Sequence, residues 1–382
     1  MPDSQVTRRR FLKSVATASA WSCAAWSKGC KPLPAPPFDS PYYGGKYMVR
    51  RALLGVTPGT SAMPTPSVVQ SFTQAISCTN SPTEVFTKPS SIRAMVYYPG
   101  GVGNEDVGQP IPAGYTPQSW PMVLFAHARR PYLCPNAYPP QIDPSLIDVR
   151  VDYQRIGSLL IDHLVSYGCA VVVPDFSWLA QSDFDGVDRG HVIAGFFHYL
   201  SDINATVFSG AFDIQRLVLV GHSTGCAACL RARGELISSG APSPVSIGLI
   251  APVTSTPGLA AEQSPHAMMI LKGTNDTKQG ANPDAVYSSA KAPKVLISLV
   301  GANHFGYTDI CDTNNQTCAA DDSPGGVTRF SQQLAAGAYL AALLRRFTLQ
   351  DLTVRPYLRG QLVITGLGMP LESQIQITQN GM

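Results

Sequence analysis

Leu217-Val218-Leu219-Val220-Gly221-His222-Ser223-Thr224-Gly225 is an apolar, strand-forming run that breaks into a G-x-S-x-G turn and passes into the helix-like Cys226-Ala227-Ala228-Cys229-Leu230-Arg231. The order of strand, sharp turn and helix is what a nucleophilic serine needs. A serine hydroxyl is a poor nucleophile at neutral pH, so it must stand exposed on a tight turn, beside a base, with the next backbone N–H free to bind an oxyanion. Gly221 and Gly225 suit that turn because, lacking a Cβ, they let strand and helix approach closely around a strained serine. The motif is short, and its weight comes from what surrounds it.

A serine of this kind requires an acid and a histidine later in the chain, each just past the carboxyl end of a strand. The apolar run His266-Ala267-Met268-Met269-Ile270-Leu271 ends in Lys272-Gly273-Thr274-Asn275-Asp276-Thr277, a polar, turn-prone loop that carries Asp276. The next strand-like run, Lys294-Val295-Leu296-Ile297-Ser298-Leu299-Val300, ends in Gly301-Ala302-Asn303-His304-Phe305-Gly306 and delivers His304. The exit of the preceding strand, Ala251 to Pro257, holds no carboxylate, which leaves Asp276 as the acid. The order Ser223, Asp276, His304 is that of α/β-hydrolases and differs from the orders of chymotrypsin-like and subtilisin-like enzymes.

Upstream, Val123-Leu124-Phe125-Ala126 reads as a central strand that runs into His127-Ala128-Arg129-Arg130. A helical pattern over Gly157 to Val165 stops before Gly168, where a strand Cys169 to Asp175 begins. A second helix carries Val192, Phe196 and Leu200 on one stripe, and a last one, Val327 to Arg346, places Phe330, Leu334, Ala338, Ala341 and Leu344 along a core-facing side. Helices alternating with near-continuous apolar strands predict an α/β fold: a mostly parallel central sheet with helices on both faces. The short span between Ile250 and His266 leaves no room for a large cap domain, so the site is expected to be open.

The chain resembles the α/β-hydrolase superfamily, and within it the chlorophyllases, platelet-activating-factor acetylhydrolase-like esterases and dienelactone-hydrolase relatives. The resemblance covers residues 90 to 348. It is carried by Met95-Val96-Tyr97-Tyr98-Pro99, Leu124-Phe125-Ala126-His127, Leu164 to Asp175, Gly221-His222-Ser223-Thr224-Gly225, Gly273-Thr274-Asn275-Asp276 and Gly301-Ala302-Asn303-His304-Phe305. It implies Ser223 as nucleophile, His304 as base and Asp276 as its orienting acid. It further implies an oxyanion hole built from the backbone N–H of Thr224 and that of Ala128 or Arg129. The chain departs from the family where His127-Ala128 replaces the usual His-Gly, and where a proline-rich insertion, Pro131 to Arg150, follows. His127 itself is expected to order its loop by hydrogen bonding, since His304 already supplies a base.

The amino terminus, Thr7-Arg8-Arg9-Arg10-Phe11-Leu12-Lys13 followed by the modestly apolar Ser14 to Ala25, matches a twin-arginine export signal and is too short to span a bilayer. The expected organisation is a signal peptide over 1–30, a proline-rich linker over 31–45, the catalytic domain over 46–350 and a C-terminal extension over 351–382. Gln361-Leu362-Val363-Ile364-Thr365 and Ile375-Gln376-Ile377 predict an edge hairpin in that extension. Such a protein meets the twin-arginine translocase during export from a bacterial cytoplasm and works in the periplasm or outside the cell, with Cys30 a candidate for a lipid anchor. A net charge of +3 that partly reflects the signal, with no basic cluster elsewhere, points away from nucleic acid.

Nine cysteines in an exported chain invite a disulfide reading. Cys311 and Cys318 bracket a short polar loop just after His304; their bridge would contribute on the order of 2 to 3 kcal/mol. Cys78 with Cys134 is a weaker pairing. Cys169, Cys226 and Cys229 are expected as small core residues. Asp309, Asp312, Asp321 and Asp322 lack the Gly and closing Glu of an EF-hand, so neither a metal nor another cofactor is expected. The expected activity is that of an exported serine hydrolase cleaving small-molecule or polymeric esters through an acyl-enzyme. Its rivals are a peptidase or amidase on the same scaffold, and an exported binding protein that keeps the fold without catalysis.

Overall fold

The computed structural model describes residues 48–54, 94–100, 120–128, 158–174, 176, 186–208, 210–253, 267–291, 293–308, 326–364 and 375–382. The expected signal peptide and linker, Cys30, Arg129, the 131–150 insertion, residues 254–266, both disulfide pairings and the four aspartates near 309–322 lie outside them.

Among the described residues, nine strands form one sheet in the order β1-β2-β4-β3-β5-β6-β7-β8-β9. In chain order these are β1 (Met48–Leu54), β2 (Ala94–Gly100), β3 (Trp120–Ala126), β4 (Ala170–Pro174), β5 (Phe212–His222), β6 (Ser246–Ile250), β7 (Ala267–Gly273), β8 (Lys294–Leu299) and β9 (Ile375–Asn380). The six strands from β4 to β8 across the middle are parallel, while β2 and β9 join them antiparallel and β1 pairs antiparallel with β2. Parallel strands buried on both faces should read as unbroken apolar runs. β3 and β4 do so, and every residue of β3, β4, β6 and β8 is buried, with Ser246, Lys294 and Ser298 the polar residues among them.

Alternation along each strand divides the interior into two cores. Val123 and Phe125 of β3 face one core, and Met122, Leu124 and Ala126 face the other. Helices α1 (Ser158–Ser166) and α5 (Arg329–Thr348) cover the first face, and α2 (Val187–Val207), α3 (Thr224–Ser238) and α4 (Asn282–Ser289) the second. The structure therefore has a mixed, mostly parallel sheet with helices on both sides, an α/β fold. Val192, Phe196 and Leu200 of α2 are buried as the stripe predicts.

Two expectations are corrected. Helix α5 starts two residues later than the pattern suggested, capped by Thr328, whose side chain accepts from the N–H of Ser331. Phe330 is then 40% exposed instead of packed in the core. The inward positions of that first turn are taken by Ser331, Gln332 and Gln333, all buried.

Among the described residues, the tail contributes one strand, β9 at the edge of the sheet, and the described part of the other expected strand, residues 361–364, is not a strand. β9 pairs with β8 from Ile375 opposite Leu299 to Asn380 opposite Lys294, whereas residues 361–364 are turn and coil with Ile364 buried in the core. Before it, a 3-10 turn (Leu352–Val354) and the short α6 (Arg355–Leu358) add Val354, Tyr357 and Leu358 to the first core. Residues beyond 350 thus complete the sheet and core of the same unit.

Among the described residues, no helix is long and apolar enough to cross a membrane.

Candidate functional site

β5 ends at His222 and α3 begins at Thr224, so Ser223 alone makes the turn between them. Its backbone sits at φ 58° and ψ −123°, a left-handed conformation that costs a non-glycine residue roughly 1–3 kcal/mol. Hydrogen bonds hold it there: Ser223 N–H donates to the Ile250 carbonyl at 2.9 Å, and Cys226 N–H to the Ser223 carbonyl at 2.9 Å. The crossing is close on both sides. A Cβ on Gly221 would lie 2.3 Å from the Gly225 carbonyl oxygen, and one on Gly225 would lie 2.1 Å from the Ala126 carbonyl oxygen. The end of β3 therefore abuts the first turn of α3.

The loops leaving β7 and β8 are tied to each other. Asn275 N–H donates to the Ala302 carbonyl at 2.9 Å, and Gly301 N–H donates to the Thr274 hydroxyl at 2.8 Å. These bonds fix the spacing between Asp276 on one loop and His304 on the other. Asp276 Oδ1 accepts from the backbone N–H groups of Lys278 (2.9 Å) and Gln279 (3.0 Å). Oδ2 is left to face His304.

Ser223, His304 and Asp276 form one hydrogen-bonded row. His304 Nδ1 lies 2.8 Å from Asp276 Oδ2, and His304 Nε2 lies 2.9 Å from Ser223 Oγ. A carboxylate only accepts, so the imidazole proton belongs on Nδ1 and the Nε2 lone pair receives the serine hydroxyl. The Asp276 side chain is wholly buried and that of His304 is 3% exposed, which strengthens both bonds by excluding water.

His222, the residue before the serine, binds the same loop from the opposite side. Its Nε2–H donates to the His304 carbonyl at 3.0 Å, and its ring packs against those of His304 and Tyr307 at 5.2 and 5.8 Å between centroids. Burial, and then the neighbouring His304 ring, holds its pKa well below the ordinary imidazole value. His222 is therefore neutral, with an Nδ1 that is buried and, among the described residues, without a hydrogen-bond partner. The Phe305 ring meets that of His304 edge-on, at 5.1 Å between centroids.

Thr224 N–H, in the first turn of α3, has no carbonyl four residues back in the helix to receive it. Ala128 lies on the loop leaving β3, at the rim where β3 meets α3. His127 orders that loop: Nδ1–H donates to the Ala128 carbonyl at 2.8 Å, and Nε2 accepts Phe176 N–H at 3.3 Å. Among the described residues, no three His, Cys, Asp or Glu side chains converge as metal ligands.

Behind the serine, Cys226 donates its thiol to the carbonyls of Gly221 (3.2 Å) and Ile250 (3.3 Å). Cys169, Cys226 and Cys229 are free and buried, and burial pushes all three thiols up, Cys169 to about 12. Cys226 and Cys229 of α3 are thus buried thiols that pack in the second core.

The groups that sequence reasoning missed are those that hold the others: His222, Asn303 and Gln332. His222 was visible only as the variable position of the motif. Gln332 lies on a helix 28 residues after His304, and its one signal is a pair of glutamines at positions where the helix turns inward.

A scan against protein-family models matches no family, and a search of curated proteins finds no relative.

Proposed function

We propose that this chain is a serine hydrolase of the α/β-hydrolase type that cleaves carboxylic esters through an acyl-enzyme. The observation that carries this reading is the continuous row Ser223 Oγ, His304 Nε2, His304 Nδ1, Asp276 Oδ2 at hydrogen-bond distances, placed at the strand-to-helix turn of the central sheet.

In the first half-reaction Ser223 Oγ attacks the ester carbonyl carbon while its proton passes to His304 Nε2. Asp276 stabilises the resulting imidazolium and holds the ring in the required tautomer. The negative charge on the former carbonyl oxygen is received by Thr224 N–H and a second donor on the β3 exit loop, Ala128 or Arg129. Each such donor contributes about 3 to 4 kcal/mol in related chemistry. Collapse of the tetrahedral species expels the alcohol, which takes the proton from Nε2. Water then attacks the acyl-enzyme with His304 again as base, releasing the acid and restoring Ser223.

The export pattern at Thr7 to Lys13 supports placing this activity outside a bacterial cytoplasm, reached through the twin-arginine translocase. The test is a panel of p-nitrophenyl esters of graded acyl length run beside the matching p-nitroanilides. Turnover of esters with little turnover of anilides supports the proposal; preferential anilide cleavage would favour a peptidase, and inertness toward both would favour a binding protein.

A further inference from the structure

Gln332 reaches from the first turn of α5 to the residue before His304 and pairs with both polar groups of its backbone. Its Nε2–H donates to the Asn303 carbonyl at 2.6 Å, and its Oε1 accepts Asn303 N–H at 3.1 Å. A side-chain amide bonded in this way takes the place of a strand partner, since it exchanges both hydrogen bonds with one residue. Two further bonds brace the same turn. Asn303 Oδ1 accepts Gly306 N–H at 2.8 Å, and Gln333 Nε2–H donates to the Thr308 carbonyl at 3.1 Å. Gly306 makes room for the clamp, because a Cβ there would lie 2.3 Å from Gln332 Oε1.

A primary amide under a helix is disfavoured unless its polar atoms are paired, and the same position could hold a leucine at no such cost. Gln332 is 1% exposed. Helix packing alone gives no reason for an amide here, whereas the geometry of the loop does. Fixing both backbone groups of Asn303 fixes the direction in which the chain enters His304, whose ring must meet Asp276 on one side and Ser223 on the other.

We infer that Gln332 is a positioning residue for His304: its two-point hold on Asn303 sets the imidazole in line with Asp276 and Ser223. The inference rests on the proposed role of His304 as base. Gln332 touches neither the serine hydroxyl nor the aspartate, and it acts through the backbone.

The test compares wild type with Gln332→Met, which keeps the bulk and removes both bonds, and with Gln332→Glu, which can restore both bonds only when its carboxyl is protonated. Lys294→Met serves as a structural control. Lys294 caps the carbonyls of Tyr287 and Ala290 at 2.7 Å each, at the opposite end of β8 from His304. Gln332→Met should lower kcat about 10- to 100-fold with KM changed by less than about threefold, the signature of a misplaced catalytic group. Gln332→Glu should regain part of that loss as pH falls, after normalisation to the wild-type profile. Lys294→Met should lose thermal stability with kcat unchanged.

A readout independent of turnover is the downfield proton NMR signal of His304 Nδ1–H in its bond to Asp276. Gln332→Met should weaken or shift it, and Lys294→Met should leave it in place. Wild-type kcat together with an unchanged Nδ1–H signal in folded Gln332→Met would overturn the inference. If wild type cleaves no ester while Gln332→Met still disturbs that signal, the proposed activity fails and the positioning role stands.

Discussion

His222 Nε2 stands 3.0 Å from the backbone carbonyl oxygen of His304, so the residue preceding the serine also holds the loop that carries the imidazole. Burial keeps His222 neutral in the folded protein, below the 6.5 at which the unfolded chain takes up its proton. Its contribution is therefore complete above pH 6.5 and declines as pH falls toward the folded value. His222→Gln keeps a donor near the His304 carbonyl and abolishes the titration. The stability of wild type relative to that variant should fall by up to about 1.4 kcal/mol for each pH unit below the unfolded value. Urea unfolding from pH ~7.5 to ~5 measures this; a difference that stays constant with pH would contradict a neutral, buried His222.

Asp276→Asn should impair catalysis through the tautomer of His304 and not through lost bulk. The Oδ1 position receives two backbone N–H groups, so the amide oxygen of an asparagine belongs there and its NH2 must face His304 Nδ1. Nδ1 then becomes an acceptor, the ring proton moves to Nε2, and the serine proton has nowhere to go. The expected fall in kcat is about 10³- to 10⁴-fold with KM little changed. Steady-state kinetics on a p-nitrophenyl ester decides it, and a loss of less than about tenfold would be too small for this role.

Gly225→Ala and Gly248→Ala should differ although both glycines are tightly surrounded. At Gly225 the new methyl would lie 2.1 Å from the Ala126 carbonyl oxygen, a backbone atom at the turn; at Gly248 it meets Leu340 Cδ2 at 2.5 Å, the end of a side chain that can rotate. Gly225→Ala should cost about 1–3 kcal/mol or more and lower activity, while Gly248→Ala should cost less than about 1.5 kcal/mol and leave activity near wild type. Denaturant titration separates them. Equal losses would mean that the end of β3 does not constrain the turn.

Much of the sheet was legible in the sequence because a parallel strand buried on both faces needs an unbroken apolar run. Val123 to Ala126, Leu217 to Val220 and Val295 to Ile297 are such runs, and the loops that follow their strands carry the polar residues of the site. What stayed illegible depends on long-range pairing. Ile375 to Asn380 looked like half of a local hairpin, yet its partner is β8, some 80 residues earlier. Phe330 fits a helical stripe but lies at the turn where α5 uses its inward positions for hydrogen bonds. Gln332 gave little sign of its task, since an amide in a helix looks the same whether it meets water or the backbone of a distant loop.

The most direct test is covalent labelling of the purified protein by a fluorophosphonate, with the modified peptide located by mass spectrometry. A single adduct is expected, on Ser223, that disappears in Ser223→Ala while the circular dichroism spectrum is unchanged. An unlabelled wild-type protein, or a Ser223→Ala variant labelled as readily as wild type, would contradict it.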